Sequence, residues 1–94
     1  MAEVIRIVVS VDGSKPKTFR GRQAWTLNEL IRAGKKGVAT VERPAPRWSD
    51  YVMHLRRSAV GISTDHEKHG GAYRGHHGRY RLTSKVRVIE KEVA

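Results

Sequence analysis

The chain has 94 residues, 38% of them hydrophobic, and its 19 lysines and arginines exceed its 9 aspartates and glutamates to give a formal charge of +10. This length suits one small domain with a modest core, and the apolar content favours a folded chain over a disordered one. Cysteine is absent, which excludes disulfides and thiolate metal sites. So large a positive charge predicts a polyanionic partner, of which nucleic acid is the commonest.

The longest apolar run, residues 4–11, is interrupted by Arg6 and Ser10. It is too short to span a bilayer, and no cationic segment precedes it as a secretory signal would require. We therefore expect a cytoplasmic protein, associated with the nucleoid if its polyanionic partner is DNA.

The N-terminal region, residues 3–20, has the pattern of a β-hairpin. Apolar side chains alternate along its first half and predict a strand with one inward face, formed by Ile5, Ile7, Val9 and Val11. Asp12 and Gly13 are typical turn residues, and residues 18–20 are expected to return as a short second strand. Its role is expected to be structural.

A first helix is predicted over residues 24–33, where apolar residues recur at spacings of three and four and Gly34 suits the C-terminal cap. Thr26 and Glu29 fit a capping box, which would start the regular helix after Trp25. A short apolar segment follows at residues 38–43 and is closed by Pro44. It has room for one or two helical turns that start near residue 39 or 40.

A third helix is predicted from Pro46 to the residue before Gly61, because proline suits a first helical turn and no breaker intervenes. One stripe of this helix is apolar and should face the core, at Trp48, Val52, Leu55 and Ala59. The other side carries polar and cationic groups that suit bases and phosphates, at Arg47, Ser49, Asp50, Met53, His54, Arg56 and Arg57. A short helix followed by a cationic one is the layout of a helix-turn-helix.

A β-hairpin with a protruding wing is predicted over residues 62–83. Residues 62–67 favour a strand, residues 68–78 are glycine-rich and predict an exposed loop, and residues 79–83 alternate again with Tyr80 and Leu82 inward. No acidic residue lies between Lys68 and Ile89, so the wing is basic. Residues 85–91 predict a further strand beside the N-terminal one. The chain is thus read as a single α+β domain over residues 1–94, with a helical core at 24–60.

One succession of short stretches covers most of the chain, at residues 21–25, 30–34, 37–38, 44–52, 55–57, 69–71 and 79–82, together with His76. Over roughly residues 18–88 it resembles the small winged-helix domain proteins of bacteria, their phages and prophages. The resemblance implies a winged helix-turn-helix with three helices, a C-terminal hairpin and a DNA-binding role.

Within this fold, residue chemistry predicts the contacts of the third helix. Arg57 or Arg47 suits guanine O6 and N7, Asp50 suits cytosine N4, and Met53 suits a thymine methyl. For Asp50, pairing with His54 one helical turn later is an equal alternative. Phosphate contacts are expected from Arg56, Lys35 and Lys36, and along the wing from Lys68, Arg74, His76, His77 and Arg79.

Two other kinds of site have little support. Four histidines at positions 66, 69, 76 and 77 lie near Asp65 and Glu67, so a metal site is conceivable, but their spacing matches no strong zinc pattern. We therefore expect no metal and no cofactor. Nucleophile, Walker and paired-carboxylate motifs are absent as well, so we do not expect an enzyme.

The sequence is best interpreted as a DNA-binding protein, a transcriptional regulator or a phage-type accessory factor. The alternative is a protein-interaction adaptor with the same fold and only non-specific affinity for nucleic acid. The shortage of exposed aromatic residues argues against single-stranded RNA. The protein is expected to be a monomer, or a homodimer paired through its terminal strands.

Overall fold

The computed structural model describes residues 3–39, 47–69 and 75–94. Its strands form two three-stranded sheets, in the orders β2-β1-β6 and β3-β5-β4, so the α+β class is confirmed. The elements follow one another as β1 (Val4–Val11), β2 (Lys17–Arg20), α1 (Gly21–Ala33), a 3-10 turn (Gly34–Lys36), β3 (Val38–Ala39), α2 (Trp48–Arg57), β4 (Ile62–His69), β5 (Gly75–Leu82) and β6 (Val86–Val93).

The first sheet joins the two ends of the chain. Strand β1 pairs antiparallel with β2 on one side and with β6 on the other, as the alternating patterns predicted. The inward position of Ile5 was predicted wrongly, since its side chain is 39% exposed while Val4 is buried. A register shift between Val4 and Arg6, which pair with Val93 and Glu92, places an additional residue in β1 and reverses the alternation there.

Helix α1 begins at Gly21, earlier than the predicted start at residue 24 and than the alternative start after Trp25. The capping-box interpretation of Thr26 was wrong, because this residue is buried inside the helix and its hydroxyl donates to the Arg22 carbonyl at 2.8 Å. The predicted end is confirmed, since the Gly34 amide donates to the Leu30 carbonyl. The helix buries its apolar face against β1.

Helix α2 is shorter than the predicted third helix at both ends. It spans Trp48–Arg57, and the chain then turns through Ala59, whose φ of 69° lies in the left-handed region. Ala59 is therefore exposed instead of extending the apolar stripe, and the amide of Val60 closes the turn on the Leu55 carbonyl at 3.1 Å. Trp48, Val52 and Leu55 are buried as expected.

The predicted short helix between α1 and α2 falls mainly on residues 40–46, outside the described residues. Ala39, one of its two expected starting points, instead belongs to β3 and pairs with Arg79. The described residues therefore contain two α-helices where three were predicted for the chain.

The wing strands are longer than predicted. Strands β4 and β5 pair antiparallel in one uninterrupted register from Ile62↔Leu82 to His69↔Gly75. Residues 68–69 and 75–78, which we expected in an exposed loop, therefore belong to the ladder. A backbone ladder does not require aliphatic side chains, so the glycine-rich composition that predicted a loop did not prevent pairing.

The core lies between the two helices and the two sheets. Most of its fully buried members come from α1, α2 and β1, among them Ile7, Val9, Leu27, Leu30, Val52 and Leu55. Trp48 packs between Trp25, at 5.4 Å between ring centroids, and Tyr80, at 6.0 Å and nearly parallel. This packing fixes the rotation of α2 and turns its other face outward. No helix among the described residues is long and apolar enough to cross a membrane.

Candidate nucleic-acid interface

Helix α2 buries one face in the core, and the face that points outward is polar. Ser49, Met53, His54 and Arg57 are exposed, with Met53 at 40%, and Asp50 is half-buried. Arg57 makes no hydrogen bond or ion pair with any residue that the structure describes. Asp50 and His54 likewise form no ion pair with each other. This face can therefore offer donors, acceptors and an apolar thioether to a ligand.

Arg47 immediately precedes α2 in a left-handed backbone conformation, with φ 68° and ψ 29°. Its carbonyl accepts the amide of Tyr51 at 3.1 Å, which closes the first helical turn, while the residue as a whole is exposed. A non-glycine residue in this region costs on the order of 1 kcal/mol. The buried Trp48 that follows holds the turn in place.

Arg56 joins α2 to the wing. Its Nε and Nη2 donate to the Ile62 carbonyl at 3.1 and 2.8 Å, and Nη2 also donates to the Thr64 hydroxyl at 2.6 Å. Much of the guanidinium is therefore used within the protein. The expected contact of Arg56 with a phosphate stays a prediction.

The 3-10 turn that carries Lys35 and Lys36 is fastened to the wing by two arginines of β5. Arg79 donates to the Lys36 carbonyl and Arg81 to the Lys35 carbonyl, each at 3.1 Å. Arg81 also forms an ion pair with Asp65 on β4. These bonds use only the main-chain carbonyls of Lys35 and Lys36, and both residues are exposed.

The remaining predicted wing residues are placed by backbone register. Lys68 pairs with His76, and His77 pairs with Glu67. Arg74 lies outside the described residues. Hydrogen bonds connect α2 to β4 and the 3-10 turn to β5. The elements that carry the predicted cations are therefore neighbours in the fold.

A groove that the sequence did not predict runs between the starts of α1 and α2. It has a volume of about 210 Å³ and is lined by Arg20, Arg22, Gln23, Arg47, Asp50, Tyr51 and His54. The cationic pair in Arg20-Gly21-Arg22 was visible in the sequence. Its nearness to α2 was not, since it depends on how the helices pack.

Among the described side chains, no group of three or more histidines, aspartates or glutamates is placed to hold a metal ion.

The architecture described above is that of a winged helix, in which a small third strand, the hairpin β4–β5 and the outward-facing α2 share one core. A family model described as a winged helix domain matches residues 16–92, and the chain belongs to this family, as the resemblance predicted. Comparisons with curated proteins and with solved structures gave no significant match. Winged helix domains are typically DNA-binding domains without enzymatic activity.

Proposed function

We propose that this protein binds double-stranded DNA as a transcriptional regulator or a phage-type accessory factor. Helix α2 enters the major groove, and the wing lies along the adjacent backbone. The observation that carries the proposal is the outward face of α2, where Arg57 has no partner among the described residues and Met53 is 40% exposed. Both are held at a fixed rotation by the buried Trp48, Val52 and Leu55.

The chemistry of this face supports sequence-specific contacts. Arg57 reaches guanine O6 and N7 as a bidentate donor, and Met53 packs on a thymine methyl. Ser49 and His54 add shorter polar groups, and Asp50 accepts a hydrogen bond from cytosine N4. Arg47, at the start of the helix, is the second candidate for a guanine.

The cations outside α2 supply affinity that does not depend on sequence. Lys35 and Lys36 at the base of the wing bind phosphates, as do Lys68, Arg74, His76, His77 and Arg79 along it. The net charge of +10 strengthens association with any polyanion. Arg56 adds a phosphate contact only with the part of its guanidinium that Ile62 and Thr64 leave free.

The test is selection from a pool of random DNA duplexes at two salt concentrations, followed by sequencing of the retained molecules. A defined motif that persists at the higher salt supports a sequence-specific reader, and a repeated half-site would indicate a homodimer. In the selected site, Arg57→Ala should cost about 1–3 kcal/mol and relax the preference at one base pair.

The matched control is Lys36→Ala, which removes one exposed positive charge away from α2. It should weaken all duplexes alike and lower the salt dependence. Sequence-blind binding that disappears with salt would contradict the proposal and favour the protein-interaction adaptor.

A further inference from the structure

The groove between the starts of α1 and α2 concentrates arginine beside the proposed DNA-reading helix. Arg20 and Arg22 come from the junction of β2 and α1, and Arg47 comes from the residue before α2. Gln23 and Tyr51 add neutral hydrogen-bond donors to the same walls. None of Arg20, Arg22 or Gln23 belongs to the α2 face or to the wing.

The three guanidinium groups differ in what they already bind. Arg22 donates to Glu3 at 2.5 Å and lies over the Trp25 ring, 4.2 Å from its centroid. These contacts hold its side chain in place, and the Glu3 carboxylate offsets most of its charge. Arg20 and Arg47 are exposed and form no ion pair with any described residue. Asp50 offsets one charge, which leaves a net positive groove in which Arg20 and Arg47 have no ion pair within the described part of the chain.

Arg20 and Arg47 are each held in place by a buried neighbour in the chain. Arg20 directly follows Phe19, which is 5% exposed, and Arg47 directly precedes Trp48, which is 4% exposed. Their backbones are therefore fixed relative to each other through the packed core, although 26 intervening residues separate them in sequence. Such preorganisation lowers the entropic cost of binding one anion between them.

We propose that this groove binds a backbone phosphate of the same duplex that α2 reads, an inference that rests on the proposed function. Guanidinium groups bind phosphate oxygens through paired hydrogen bonds, and a volume of about 210 Å³ admits a single phosphate group. The groove begins at the N-terminal end of α2, at Arg47, and extends to His54, whereas Arg56 bonds the wing at the C-terminal end of the helix. In this arrangement Arg47 binds the phosphate and Arg57 is the guanine contact, so the DNA backbone is bound at both ends of the reading helix.

The test uses the motif selected for the wild-type protein and compares Arg20→Ala with Arg87→Ala. Arg87 is an exposed cation on β6, so both variants lose one charge from the sheet β2-β1-β6. Arg20→Ala should weaken binding to every duplex by a similar factor and reduce the slope of log K against log salt by about 0.9. Arg87→Ala should leave the affinity within twofold of the wild type.

A second measurement locates the phosphate. Each backbone phosphate of the selected duplex is replaced in turn by a neutral methylphosphonate. At one position the replacement should weaken the wild type but have no further effect on Arg20→Ala. Arg20→Lys should retain the salt slope while losing part of the affinity, since lysine keeps the charge but not the paired hydrogen bonds.

The possible outcomes separate the two proposals. If the wild type binds no duplex, the proposed function fails and the phosphate groove fails with it. If the wild type binds and Arg57→Ala weakens it, but Arg20→Ala behaves like Arg87→Ala at every substituted phosphate, the groove proposal alone is overturned. Thermal unfolding of each variant shows whether it is folded when it is tested.

Discussion

The guanidinium of Arg56 donates two hydrogen bonds to the main-chain carbonyl of Ile62, at 3.1 and 2.8 Å. Arg56 lies in the last turn of α2, and Ile62 is the first residue of β4. A side chain of the proposed reading helix therefore fixes the point at which the wing begins. This planar group therefore helps to set the angle between helix and wing, together with the packing of Trp48 on Tyr80.

This contact predicts different roles for two adjacent arginines. Arg56→Ala should lower the free energy of unfolding by about 1 kcal/mol, because a charge-assisted contact is lost at a partly exposed site. Arg57→Ala should change stability by less than about 0.5 kcal/mol, since Arg57 is exposed and has no partner among the described residues. Urea unfolding measures both, and equal midpoints for the two variants would contradict a bracing role for Arg56.

Gly37 is predicted to be irreplaceable where the 3-10 turn meets the wing. Its φ is 72°, and a Cβ there would lie 2.5 Å from both the Arg81 Cγ and the Tyr80 carbonyl oxygen. Gly37→Ala should therefore cost about 3 kcal/mol. Gly13→Ala is the control, because Gly13 has a similar φ of 75° but open space around it, and should cost about 1 kcal/mol. Similar melting temperatures for the two variants would refute the steric explanation.

Truncation on the buried face of α2 should lower stability, whereas truncation on its exposed face should lower DNA affinity. Leu55→Ala removes a fully buried side chain and should cost about 2–5 kcal/mol, a large part of the stability of a small domain. Met53→Ala, on the exposed face, should change stability by less than about 0.5 kcal/mol while weakening DNA binding. Denaturant midpoints and duplex affinities, measured on the same preparations, separate the two effects.

The ion pair between Arg6 and Glu90 predicts a small acid-dependent contribution to stability. The two side chains lie 2.8 Å apart across β1 and β6, and the hydrogen bond from Arg6 lowers the pKa of Glu90. A lowered folded-state pKa stabilises the protein above the ordinary carboxyl pKa, and this contribution is lost as the pH falls through the folded value.

Glu90→Gln should therefore lower the urea midpoint slightly at pH 7. The difference from the wild type should shrink as the pH falls below the folded-state pKa of Glu90. A midpoint difference that stays constant between pH 7 and pH 3 would show that the pair does not contribute through its charge.

Sequence periodicity predicted the elements whose side chains face a core. The alternation in β1 and the three-and-four spacing in α1 each reflect which side chains are buried, so both elements were found from the sequence alone. Trp48, Val52 and Leu55 are buried as predicted, so the polar face of α2 lies outward, as the sequence indicated.

The errors arose where backbone geometry, not side-chain burial, decides the structure. The register shift beside Ile5 and the left-handed turn at Ala59 leave no signal in hydrophobic periodicity. The ladder continues into the glycine-rich part of the wing because main-chain groups pair regardless of composition. The bonds from Arg56 to the Ile62 carbonyl could not be predicted from the sequence either, since a bond to a main-chain carbonyl depends on tertiary packing.

The pairing of β1 with β6 has a consequence for how the protein forms during synthesis. Val4 pairs with Val93, so this edge of β1 has no partner until nearly all of the intervening chain has been made, whereas the turn to β2 is local. Closing so long a loop is entropically costly and slows folding. The nascent chain therefore carries an open apolar strand edge on the ribosome, and completion of β6 is the step that removes this site of misassociation.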